Sequence, residues 1–170
     1  MNLKEFSVEQ IAKLISPSSD AFLELKNRGV LRTKNIVGEL GEYYACDFYN
    51  NNKNLPNLSI APPGVQNIDA LSRNGEIYSI ETVSSKHGTT GSFWDPDSIK
   101  RNEQKFNYLL IVILDNSFSL DMILELTWKD FYENKKFNKR MNNFNISVTN
   151  KLINSVKIIF DKSLEEKDKR

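Results

Sequence analysis

This chain is poor in the residues that staple or metallate a small protein. One cysteine, Cys46, stands among 170 residues. No disulfide can therefore form within the chain, and a reducing, cytoplasmic compartment is expected. A single histidine, His87, leaves too few imidazoles for a histidine-based zinc site. No apolar run reaches the ~20 residues that a membrane-spanning helix needs, so no membrane association is expected. Residues 1–16 lack the basic start and small-residue cleavage site of a secretory leader. An excess of one charge is missing too. Lys and Arg number 23 against 22 Asp and Glu, for a net charge of +1. Any basic surface for a nucleic acid must be local.

What is present describes a folded domain. Hydrophobic residues make up 39% and charged residues 26%, which places the chain among globular proteins. Its length suffices for one domain with a real core, expected to span residues 1–170.

The pattern along the chain alternates helix and strand. Residues 8–15 read as a short amphipathic helix that stops before Pro17. Asp20 is placed to cap a second helix running to Asn27 and closed by Gly29. Residues 35–49 give the clearest helix, with Val37, Leu40, Gly41, Tyr44, Ala45 and Phe48 in one stripe. Gly38 and Gly41 weaken a helix, so they imply close approach to a sheet. Residues 58–61 read as a strand. Residues 67–83 read as two strands joined by a two-residue turn, with Asn74-Gly75 supplying positive φ angles. Residues 84–101 are a long polar segment, read as an ordered loop with or without a short helix. Residues 106–114 are continuously apolar, as in a central buried strand. A strand over 118–126, a helix capped by Thr127, a helix opening near Asn145 or Ser147, and a strand over 156–160 complete the chain. Residues 162–170 form a charged tail.

The chemistry concentrates in the hairpin. Asp69 lies on its first strand and Glu81 on its second. Alternation places Ser79, Glu81 and Val83 on one side and Tyr78, Ile80 and Thr82 on the other. Two carboxylates on paired strands can converge on one divalent cation, because hard cations take oxygen ligands. On the preceding helix, Glu39 falls nearly opposite the apolar stripe and Glu42 nearer its edge. Glu42 is thus the better placed of the two to approach the hairpin. Lys135, Lys136, Lys139 and Arg140, interleaved with aromatics, are candidates for phosphate contact, as is His87 in the loop after the second strand. Phe93 and Trp94 are either core residues or stacking platforms.

The segments Gly38-Glu39-Leu40-Gly41-Glu42, Ile68-Asp69-Ala70 and Tyr78-Ser79-Ile80-Glu81-Thr82, followed by the strand over 108–114, resemble the restriction-endonuclease-like (PD-D/E-x-K) nuclease superfamily. The resemblance spans about residues 38–128. It implies an α/β fold with a central mixed β-sheet flanked by helices. It implies a magnesium-dependent DNA endonuclease of restriction or defence type, acting on double-stranded DNA as a homodimer. Asp69 and Glu81 would hold Mg2+, with Glu42 assisting. The motif lysine is the departure, and two registers remain open. With Glu81 as the second acid, the lysine position holds Val83. With Ser79 there, it holds Glu81, of opposite charge. The expected substitute is Lys86, turning back toward the two acids. The alternative is a catalytically degenerate nuclease fold that binds nucleic acid or protein.

Overall fold

In a computed structural model, residues 3–62, 65 and 68–164 are described. Asn67 lies outside them, as do residues 165–170 of the tail. Among the described residues, six strands form one mixed sheet in the order β1-β2-β3-β4-β5-β8. The strands are β1 (Leu58–Ile60), β2 (Ala70–Ser72), β3 (Ile77–Val83), β4 (Tyr108–Leu114), β5 (Leu120–Thr127) and β8 (Lys157–Asp161). The β3–β4 pair is parallel and the other pairs are antiparallel. The helices are α1 (Val8–Leu14), α2 (Asp20–Asn27), α3 (Ile36–Asn51), α4 (Pro96–Lys100), α5 (Trp128–Asn134) and α6 (Asn150–Ile153). A separate two-stranded hairpin pairs β6 (Lys136–Asn138) with β7 (Asn143–Asn145). The chain is thus an α/β domain around a central mixed sheet.

The apolar run of β4 explains why the sheet has two covered faces. Leu110, Val112 and Leu114 join α2 and α3 residues in one core, with Phe22, Leu40, Ala45, Tyr49, Tyr78 and Ile80. Leu109, Ile111 and Ile113 face the other core, with Val83, Phe93, Ile99, Phe106, Trp128, Phe131 and Ile146. A strand buried on both faces must be apolar at every position.

Local chemistry sets the helix ends. Ser19, not Asp20, caps α2 by accepting from the Phe22 N–H. Asn35 caps α3 by accepting from the Gly38 N–H. Thr127 and Asp130 form a capping box on α5. The two glycines of α3 serve different ends. A side chain at Gly41 would collide with Thr82 of β3, so this glycine permits helix–sheet contact. A side chain at Gly38 would meet the capping Asn35 instead of the sheet.

Several elements depart from the sequence expectation. The β2–β3 turn is longer than two residues: Gly75 N–H bonds to the Ser72 carbonyl at 3.0 Å, and the Ser72 N–H to the Glu76 carbonyl at 3.0 Å. Gly75, with φ +83°, carries the positive angle there, and Asn74 has no such angle. The Ser72 hydroxyl drives this, accepting from the Asn74 and Glu76 N–H groups. The helix expected from residue 145 or 147 begins at Asn150, because Asn143–Asn145 pair as β7 and Ile146 and Val148 are buried. The stretch 135–140 turns through β6 instead of ending a solvated helix.

Candidate active site

Three elements meet at the candidate site: the first half of α3, the segment entering β2, and β3. Asp69 precedes β2. Its backbone is pinned on both sides, with its N–H on the Tyr78 carbonyl at 3.0 Å and its carbonyl on the Ala61 N–H at 2.8 Å. Its Oδ2 accepts from the Ile80 N–H at 2.7 Å and the Ser79 hydroxyl at 3.2 Å. Ser79 and Glu81 share one side of β3 by strand alternation, so Asp69 and Glu81 project on the same side of the sheet. Glu81 Oε2 accepts from the Gly91 N–H at 2.8 Å. The packing is tight enough that a methyl group at Gly91 would come within 2.6 Å of Glu81 Oε2.

On α3, Glu42 pairs with the Arg32 guanidinium. Glu39 is 4% exposed and is not the solvated residue that helix phase suggested. Its carboxylate turns back along α3 and accepts from the Arg32 and Thr33 N–H groups, each at 2.8 Å. Backbone donors ahead of the helix thus compensate its burial. A polar cavity of about 180 Å3 is lined by Arg32, Thr33, Asn35, Glu39, Glu42 and Asp69, among others. Glu81 lies outside this lining but feels its charges.

The electrostatics tie the acids together. Burial raises the Glu81 carboxyl to about 7; the Asp69 and Glu42 charges add to the rise, and the Gly91 N–H opposes it. Burial raises Glu42 to about 7 as well, with Asp69 and Glu39 adding and Arg32 opposing. Asp69 is raised by burial against the pull of the Ile80 N–H, Ser79 and Arg32. Cys46 is buried, and its thiol is pushed up to about 12 by burial and by Glu42, so it is no nucleophile at neutral pH.

The donor chemistry fits a hard cation. Among the described residues, Asp69 Oδ1, Glu42 Oε1 and Glu81 Oε1 accept no hydrogen bond, and carboxylate oxygens are what Mg2+ takes. Also among the described residues, no three His, Cys, Asp or Glu side chains are grouped so as to hold a metal ion between them. A cation here would be held by one or two carboxylates and completed by water, which is the usual habit of Mg2+.

The other expected residues lie elsewhere. Lys86 does not turn toward the acids; its Nζ pairs with Asp121 Oδ2 of β5 at 3.3 Å. The chain leaving β3 passes the start of β5, and an available carboxylate captures the ammonium there. Lys135 is no free phosphate ligand. Its ammonium sits 3.1 Å from the Tyr132 ring centroid and donates to the Tyr132 carbonyl at 2.8 Å. Lys136, Lys139 and Arg140 are exposed on the β6–β7 hairpin, and His87 is exposed on its loop. Phe93 is buried against Phe106 and Phe131, whereas Trp94 is 52% exposed. The hairpin adjoins the site through the backbone: Phe93 N–H bonds to the Phe144 carbonyl at 2.8 Å, and Thr90 N–H to the Ile146 carbonyl at 2.9 Å. Between those anchors lies the Gly91 amide that holds Glu81.

No protein-family model matches this chain, and no curated protein matches it significantly. Among the described residues, no helix is long and apolar enough to cross a membrane. Sequence reasoning missed Arg32 and Gly91 as site residues and ranked Glu39 behind Glu42. Arg32 stands before the Asn35 cap and only seven and ten positions from two helix glutamates, which is the one local hint. Nothing near Gly91 in sequence points to Glu81.

Proposed function

We propose that this chain is a magnesium-dependent endonuclease of restriction or defence type, acting on double-stranded DNA with a restriction-endonuclease-like fold. The observation that carries the reading is the gathering of Asp69, Glu42 and Glu81 at the junction of α3, β2 and β3, where burial raises all three acids and the Asp69 charge adds to the rise of Glu42 and Glu81. Acids held in a buried cluster favour their protonated forms and are unfavourable for folding once ionised, and such groups are concentrated at functional sites. A divalent cation held by these carboxylates would relieve that cost. The order α3, antiparallel β2–β3, parallel β4 and antiparallel β5 supports the superfamily reading.

In this proposal Asp69 and Glu81 hold Mg2+, whose charge would stabilise the negative charge that develops on the phosphate. Ile80 and Ser79 fix the Asp69 carboxylate, and Gly91 fixes that of Glu81. Glu42, poised near 7, is suited to take the proton of the attacking water at Oε1. Lys136, Lys139 and Arg140 meet the DNA backbone from the hairpin. A homodimer would match the two-fold symmetry of a duplex site.

A second reading has its own support. Glu81 stands where one register expects the motif lysine, and Lys86 is paired elsewhere. The fold would then serve as a nucleic-acid- or protein-binding module without hydrolysis. The deciding experiment is cleavage of a duplex DNA library with Mg2+ or Mn2+ by the wild-type chain and by Asp69→Asn. Cleavage that Asp69→Asn abolishes at unchanged melting temperature supports the nuclease. Cleavage equal in both proteins refutes the assigned site.

A further inference from the structure

We propose that Arg32 contacts the scissile phosphate in this site, filling the cationic role expected of Lys86. The proposal rests on the nuclease reading and goes beyond it in naming the residue. Its warrant is position and preparation.

Among the described residues, Arg32 is the cation that lines the cavity shared by Glu39, Glu42 and Asp69. It is held there from three directions. Its backbone N–H is bound by the buried Glu39 carboxylate at 2.8 Å. One guanidinium nitrogen donates to the Ala61 carbonyl at 2.8 Å, and the other terminal nitrogen pairs with Glu42. Its Nε also lies 3.8 Å from Glu39 Oε1, but a guanidinium carries five N–H donors, so the second N–H of each terminal nitrogen is left for a ligand in the cavity. The side chain is 28% exposed, which leaves it reachable from solvent. Ala61 directly follows β1 and its N–H bonds to the Asp69 carbonyl, and Glu42 lies on α3, so Arg32 links the backbone beside Asp69 to the helix that carries Glu42.

Charge makes the same point. The cavity gathers three carboxylates, Glu39, Glu42 and Asp69, around this one guanidinium. A phosphodiester brought beside them meets repulsion from every acid. A planar fork of donors suits a phosphate better than a point charge, and its geometry is set before the ligand arrives.

The experiment measures duplex binding in Ca2+ against salt concentration, and cleavage in Mg2+, for wild type, Arg32→Gln and Arg32→Lys. Loss of one phosphate contact should make the slope of log K against log salt shallower by about 0.9 in Arg32→Gln. Arg32→Lys should keep the wild-type slope. Cleavage by Arg32→Gln should fall about 100-fold, the usual loss of one preorganised donor. A merely structural arginine would change affinity or melting temperature without changing the slope, so an unchanged slope overturns the proposal. Should Arg32→Gln not fold, labelling of Arg32 in the wild-type chain by phenylglyoxal, read by peptide mass spectrometry, decides. Suppression by bound duplex supports the contact, and equal labelling with and without duplex refutes it. Wild-type binding without cleavage sinks the nuclease reading while the slope still judges Arg32. Absence of duplex binding by the wild-type chain overturns both.

Discussion

Glu81→Gln tests the electrostatic strain of the site directly. Glutamine keeps the shape of the side chain and an oxygen for the Gly91 N–H, but cannot ionise. The Glu81 carboxyl stands at about 7 against an ordinary 4.5. At about 1.36 kcal/mol per pH unit, that difference corresponds to about 3 kcal/mol of native-state cost once the group is ionised. The sign follows from the direction. A raised folded value means that the protonated acid favours folding. The stability is therefore fully present below about 4.5 and is lost as pH rises through about 7. Glu81→Gln should then be more stable than wild type at pH 8 without metal, and nearly equal to it near pH 4.5. At about 2–4 °C per kcal/mol for a domain of this size, the gain at pH 8 is about 6–12 °C in melting temperature. Thermal unfolding at the two pH values, with and without 10 mM Mg2+ (about that concentration suffices for weak carboxylate sites), measures it. Mg2+ should raise the wild-type melting temperature at pH 8 and leave Glu81→Gln nearly unmoved. A variant less stable than wild type at pH 8, or a gain of the same size at both pH values, refutes the reasoning.

Four further outcomes are expected. Asp69→Asn should lower Mg2+-dependent cleavage by 100-fold or more, by about the loss of one preorganised electrostatic group, in a plasmid-nicking assay. Lys86→Ala should leave cleavage unchanged and cost only about 0.2–1 kcal/mol, since it breaks a partly exposed pair with Asp121; urea unfolding reads the stability. Glu81→Lys places a lysine at the motif position of the second register. New cleavage by this variant, with none by the wild type, would identify the natural chain as the degenerate form, and loss of wild-type cleavage in it would assign Glu81 to the metal. Gly41→Ala should destabilise by about 1–3 kcal/mol, because the new methyl group meets Thr82, and Thr82→Ser in the same chain should not recover it while Thr82→Gly should recover part.

Elements whose cause is local were legible before any coordinates. The apolar period of residues 35–49 announces α3, whose observed bounds are Ile36–Asn51. The uninterrupted run of β4 announces a strand covered on both faces. Thr127 and Asp130, three apart, announce α5. Each rests on interactions between near neighbours in the chain, so the sequence carries them whole. The site was legible only in part. Strand alternation separated Ser79, Glu81 and Val83 from Tyr78, Ile80 and Thr82, because alternation is a property of the strand itself, and the two cores keep Val83 apart from Tyr78 and Ile80. Helix phase misjudged Glu39, because phase describes one helix and not the loop folded over its start.

What tertiary structure decided is everything that depends on contacts distant along the chain. Lys86 finds Asp121, 35 positions on, only because β5 begins near the exit of β3, across β4. Gly91 reaches Glu81 because β7 and residues 146–148 pin the intervening loop. Arg32 joins the acids because Ala61 and Glu42, on separate elements, both accept from its guanidinium. A long charged side chain goes wherever packing leaves it a partner, and its stem reaches several positions at similar cost. The sequence by itself could therefore determine which groups carry charge and which strands and helices present them. It could not determine which charge meets which, because that is settled by the distances between elements after the core has packed.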